Sequence, residues 1–108
     1  MGTYQDTHLE LEFESRQVKL DAESMVLTRK EFDLLSLLVE NAGEIVPRAL
    51  LLKQVWGYST DIRTRTLDVH IGRLRAKIEE DTRHPRYIVT VPGIGYKLCV
   101  PEDASAAA

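Results

Sequence analysis

The stretch TRTLDVHIGRLRAKI, residues 64–78, decides how this 108-residue chain is read. Turned at about 100° per residue, Leu67, Ile71, Leu74 and Ile78 fall within one apolar stripe about 60° wide. The side pointing most directly away carries Val69, Gly72, Arg73 and Ala76. Thr66, His70 and Lys77 flank one edge, while Asp68 and Arg75 lie toward the other. An ordinary solvated face favours long Glu, Lys and Gln side chains, and a mid-helix Gly costs about 1 kcal/mol relative to Ala. Small residues around a single Arg therefore predict a face that something must approach closely.

Working outward, Thr28 and Glu31 have the T-x-x-E spacing of a capping box, with Leu27 and Phe32 at the staple positions. Phe32, Leu35, Leu38 and Val39 then recur at helical spacing, and Gly43 is the expected C-cap. This helix reads as core. Pro47 opens a second helix through ALLLKQVW (49–56), closed by Gly57, and a polar loop (58–64) leads to a third helix over 65–80. Upstream, HLELEF (8–13), RQVKLD (16–21) and SMVL (24–27) predict short antiparallel strands. Ile45–Val46 is too short for more than a strand fragment. Downstream, YIVTV (87–91) and YKLCV (96–100) around PGIG predict a hairpin. The expected organisation is one domain over 8–100, with flexible segments at 1–7 and 101–108.

Composition is that of an ordinary globular domain, 44% hydrophobic and 29% charged. No apolar run approaches the roughly 20 residues of a membrane span, and the lone Cys99 can form no internal disulfide, so the cytoplasm is the expected compartment. Cys99 reads as a small buried apolar residue. The net charge of −3 is unevenly spread: residues 1–47 hold four basic and ten acidic side chains, residues 48–97 ten basic and five acidic. Such segregation gives a local positive field whatever the total. No nucleophile–base pair or phosphate loop appears, and His70 has no Cys or His at ligand spacing. An enzyme, a metal site and a cofactor are therefore not expected.

Two helices, a basic third helix and a hairpin form the order that a helix-turn-helix with a β wing requires. In a major groove, Arg73 would bond bidentately to guanine and Val69 would pack on a thymine methyl. Thr66, His70, Lys77 and Arg65 would meet phosphates along the walls. The competing reading is a winged-helix protein–protein interaction module whose basic helix is merely solvated; the acidic total favours it.

The motifs LTRKEFDLL (27–35), LLKQVWG (51–57), TRTLDVHIGRLRAKI, HPRYIVTV (84–91) and GIGYKL (93–98) give the chain a family resemblance. Over roughly residues 8–100 it resembles the OmpR/PhoB-type DNA-binding domain, the effector half of two-component response regulators. The resemblance implies an α+β winged helix-turn-helix: an N-terminal four-stranded antiparallel sheet, a three-helix core and a C-terminal β-hairpin wing (87–100). The recognition helix, here 65–79, would enter the major groove of double-stranded promoter DNA. Binding would be to direct-repeat half-sites as a head-to-tail homodimer.

By matching position, Trp56, Arg65, His70, Arg75, Thr90 and Tyr96 would contact the DNA backbone, and Thr66, Val69 and Arg73 would face bases or groove walls. Trp56 reads equally as core, Arg75 as an i,i+4 partner of Glu79, and Tyr96 as buried in the wing. The loop Gly57–Arg63, with Tyr58, Ser59, Thr60 and Asp61, would touch RNA polymerase. Three positions depart from the family pattern. Pro92 stands where many members carry a minor-groove Arg, with Lys97 a partial substitute; Gly72 replaces a frequent basic residue; Pro47 replaces a frequent Ser/Thr cap. A receiver domain and its sensor kinase would lie outside this chain.

Overall fold

The computed structural model describes residues 2–58 and 64–100. Strands β1 (Thr3–Gln5), β2 (Leu9–Glu12), β3 (Gln17–Leu20) and β4 (Glu23–Met25) form a four-stranded antiparallel sheet in chain order. Their period-2 alternation sets Leu9 opposite Leu20 and Leu11 opposite Val18, and Leu9, Leu11 and Val18 are buried in the core. The first strand lies within residues 1–7, the segment expected to be flexible. Tyr4 pairs with Leu11, and the Asp6 carboxylate accepts the backbone N–H groups of His8 and Leu9. TYQ carries no readable period; it is a strand because β2 offers it an edge.

Helix α1 (Arg29–Glu40) begins at the predicted capping box: Thr28 Oγ1 accepts from the Glu31 N–H at 3.2 Å, and Glu31 Oε1 from the Thr28 N–H at 2.9 Å. Its C-cap is Asn41, not Gly43. The Asn41 amide donates to the Leu37 carbonyl at 2.9 Å, which satisfies a helix-end acceptor without a glycine. Gly43 lies two residues on, takes φ +85°, and sends its N–H to the Leu98 carbonyl at 2.9 Å. The chain is thus handed directly to a second sheet.

That sheet is larger than the expected hairpin. Strands β6 (Ile88–Val91) and β7 (Gly95–Leu98) form the hairpin, and β5 (Ile45–Pro47) adds a third strand in the order β5–β7–β6. Val46 pairs with Tyr96 and Pro47 with Gly95. The approach of β5 demands the glycine: a Cβ at Gly95 would lie 2.1 Å from the Val46 carbonyl oxygen. Ile45 and Val46 suit a strand, but three residues ending in Pro are too short to be one alone, and the segment is extended because β7 receives it.

Helix α2 (Arg48–Leu51) runs on as a π-helical turn, Leu52–Trp56. Gly57 ends it at φ +75°, with the Gly57 and Tyr58 N–H groups bonded to the Lys53 and Leu52 carbonyls. Helix α3 (Thr66–Ile78) is shorter than the predicted 65–80. Arg65 precedes its first turn, and at its other end Glu79 is extended. The Glu79 carboxylate accepts the backbone N–H groups of Arg86, Tyr87 and Ile88 at 2.8–3.0 Å. At Glu79 the chain has left the helix, with ψ 137°. Leu67, Ile71, Leu74 and Ile78 are all buried, in one cluster with the apolar faces of both sheets, α1 and the second helix.

Candidate nucleic-acid interface

The predicted stripe of α3 is inside, so its far side is outside. Val69, Gly72, Arg73 and Ala76 are exposed, Val69 at 46%. The Arg73 guanidinium makes no hydrogen bond or ion pair with the described residues. Among the described residues, its chain neighbours and the helix's own backbone aside, no atom lies within 4 Å of a Cβ built on Gly72, so none of them requires a glycine there. The face is therefore low, open and tipped by one unengaged cation.

Around this face the sequence-predicted residues divide. Arg65 is exposed at the N-terminus of α3, and the half-buried Thr66 follows it. The helix start is held by a residue the sequence reading missed: Thr64 Oγ1 accepts the Thr66 N–H at 3.1 Å. A Ser/Thr just before a helix is its sequence signal. His70 lies one turn on, with Nδ1 2.8 Å from the Thr66 carbonyl oxygen. The Trp56 ring meets the His70 imidazole edge-on at 5.0 Å between centroids. Lys30 of α1 places its ammonium 5.9 Å from the Trp56 ring and donates to the Val55 carbonyl at 2.8 Å. Trp56 is half-buried against the core, so it joins core and surface.

Arg75 does not pair with Glu79. Its guanidinium reaches β6, donating to the Ile88 carbonyl from Nε (3.1 Å) and Nη2 (2.7 Å), and to Thr90 Oγ1 at 2.8 Å. It also lies 5.7 Å from the Tyr96 ring centroid. Tyr96 takes the buried alternative: it is 6% exposed, and its hydroxyl donates to Asp68 Oδ1 at 2.5 Å. Burial first, then the bond to Asp68, pushes the Tyr96 hydroxyl up to about 12. Arg75, Thr90 and Tyr96 thus form the joint between α3 and the hairpin.

Asp68, given no role in the sequence reading, is the other half of that joint. The same Oδ1 accepts from Arg48 Nη1 at 2.6 Å. Burial would raise the Asp68 carboxyl, but bonds from Arg48 and Tyr96, with Arg65 nearby, hold it below the usual aspartate range.

Lys77 departs furthest from expectation. Its ammonium sits 2.6 Å from Glu31 Oε1 and donates to the Val26 carbonyl at 3.3 Å. Glu31 is 1% exposed, and a buried carboxylate needs a counter-ion. Burial raises the Glu31 carboxyl, yet Lys77 and the Thr28 N–H outweigh it and hold it below the ordinary glutamate value. Lys77 therefore supplies the counter-ion that the interior needs. Tyr58 is half-buried against the core; Ser59, Thr60 and Asp61 lie outside the described residues.

At the tip of the hairpin, Pro92, Gly93 and Ile94 are exposed, Ile94 at 51%, and Gly93 takes φ +76°. Lys97 is half-buried on β7 beside β5 and β6. Among the described residues no group of three or more His, Cys, Asp or Glu is placed to hold a metal ion, and no helix is long and apolar enough to cross a membrane.

A family model described as "Transcriptional regulatory protein, C terminal" matches residues 22–98. The chain belongs to this family. As a member of the transcriptional regulatory C-terminal family it is 43% identical over 97 residues to the sensory transduction protein RegX3 of Mycolicibacterium smegmatis, covering 90% of this chain and 42% of that protein. The chain spans less than half the length of the curated relatives it matches. Among solved structures, the Klebsiella pneumoniae RstA DNA-binding domain in complex with the RstA box is 35% identical with a TM-score of 0.86, covering 92% of this chain and 98% of that one. The response regulator DrrB, a Thermotoga maritima OmpR/PhoB homolog, is 36% identical with a TM-score of 0.83, covering 92% and 45%. The four-stranded sheet, three helices and terminal hairpin are the winged-helix architecture of these relatives.

Proposed function

We propose that this domain binds double-stranded promoter DNA sequence-specifically, as the effector half of a two-component transcriptional regulator, with α3 in the major groove and the β6–β7 hairpin as wing. One observation carries the reading. The exposed side of α3 is a low surface of Val69, Gly72 and Ala76 with Arg73 unengaged, a shape suited to a groove rather than to solvent. Likeness to a domain crystallised on its DNA box supports it.

In this reading Arg73 and Val69 face bases, Thr66 lines the groove wall, and Arg65, His70 and the Trp56 edge meet the DNA backbone. Arg75, Thr90 and Tyr96 support the wing from behind. The partners are direct-repeat half-sites occupied by a head-to-tail homodimer in the cytoplasm. RNA polymerase would be reached through the loop that begins at Tyr58, and the receiver domain and sensor kinase lie outside this chain. The tip Pro92–Ile94 carries no cation for the minor groove, and the wing's Lys97 stands back from it on β7.

A salt titration tests the reading. Retention of promoter fragments should fall linearly in log–log form, by about 0.9 per phosphate neutralised, and Arg65→Ala should flatten that slope by about one contact on every sequence. DNA retention indifferent to salt would leave a protein-interaction module as the better account.

A further inference from the structure

At the edge of α3 that turns from the proposed DNA face toward the hairpin, one residue has the wrong sign. Asp68 is 47% exposed at its side chain, beside a surface meant for a polyanion, where an acid weakens binding unless it performs another task. Its contacts define that task. Asp68 Oδ1 receives the Arg48 guanidinium at 2.6 Å and the Tyr96 hydroxyl at 2.5 Å. The Arg48 backbone N–H in turn bonds the Ile94 carbonyl at the hairpin tip, at 3.1 Å. The circuit from α3 through α2, the tip and β7 closes on Asp68. Arg75 braces it from the side, over the Tyr96 ring and onto β6.

We propose that Asp68 is a positioning residue for DNA recognition, its carboxylate holding Arg48 and Tyr96 together so that α3 and the wing meet the duplex in one fixed geometry. This rests on the DNA reading above. Sequence discrimination needs helix and wing contacts made at once, whereas loose electrostatic attachment does not. The two roles open to Asp68 therefore differ in sign. As a mere surface acid, its removal would tighten binding to every duplex. As the hub of the joint, its removal weakens the preferred duplex and leaves others unchanged or tighter.

The test starts from a random DNA pool, from which the wild-type domain enriches its preferred duplex. Affinities for that duplex and for a scrambled one are then measured by fluorescence anisotropy at one salt concentration, for wild type, Asp68→Ala, Tyr96→Phe and the double variant. Asp68→Ala should lower the preferred-to-scrambled ratio about tenfold, the scale of one lost charge-assisted hydrogen bond. Tyr96→Phe, which keeps ring and charge, should lower it in the same direction. The double variant should fall no further than the larger single loss, because both changes break one circuit. A ratio unchanged in Asp68→Ala, with both duplexes bound more tightly, overturns the proposal. If Asp68→Ala does not fold by circular dichroism, an unchanged ratio in Tyr96→Phe overturns it instead. A wild type that enriches no sequence overturns the DNA reading itself, and this proposal with it.

Discussion

Lys77→Ala removes the counter-ion of a carboxylate the fold has taken out of water. Glu31 is 2% exposed at its side chain and Lys77 36%, with 2.6 Å between the charged atoms. Breaking a fully buried pair from one side costs about 3–5 kcal/mol, since the other charge is stranded. Here water already reaches Lys77, and the Thr28 N–H still bonds Glu31, so the expected loss is about 2 kcal/mol. For a domain of this size that lowers the melting temperature by about 8–16 °C. Thermal unfolding at pH 7, followed by circular dichroism, reads it directly. Adding Glu31→Gln to Lys77→Ala should recover more than half, because no buried charge is left. The pH dependence has a definite sign. Glu31 is held below its ordinary value when folded, so its contribution is full above the unfolded value of about 4.3 and is lost as pH falls through the folded one. Lys77→Ala should shrink that acid-side loss. A Lys77→Ala protein within about 0.5 kcal/mol of wild type, the range of an ordinary surface change, would refute the reasoning.

Arg73→Ala should cost about 1–3 kcal/mol on the preferred duplex and relax base choice at one position, measured by anisotropy, while the melting temperature stays put. Leu67→Ala, at a fully buried site, should lose about 2–5 kcal/mol in urea unfolding. Gly95→Ala forces β5 off β7, since its Cβ would meet the Val46 carbonyl oxygen at 2.1 Å; about 1–3 kcal/mol should go in the same assay.

The helices were legible because their signals are local. The Thr28–Glu31 box and the Leu67–Ile78 stripe need only neighbours three or four residues away, and both appear as read. Thr3–Gln5 was not, and Ile45–Pro47 only as a fragment, because three residues hold no period and each strand exists through a partner that sequence does not display. The site splits along the same line. That Arg73 stands free follows from helix geometry alone. That Lys77 is withdrawn to Glu31, 46 positions away in the chain, follows from how α1 packs on α3, and no spacing rule reaches that far. Asp68 escaped for a different reason: an acid in a basic helix looks incidental until its two donors are seen.

The Glu79 carboxylate has a consequence for how such domains can diverge. By grasping the N–H groups of residues 86–88 at the point where α3 stops, it pins both ends of the intervening segment at one place. Residues 80–85 become a tether whose length hardly matters, since doubling a loop adds only about 0.6 kcal/mol of closure entropy. An insertion there should add new surface while the hairpin keeps its pose.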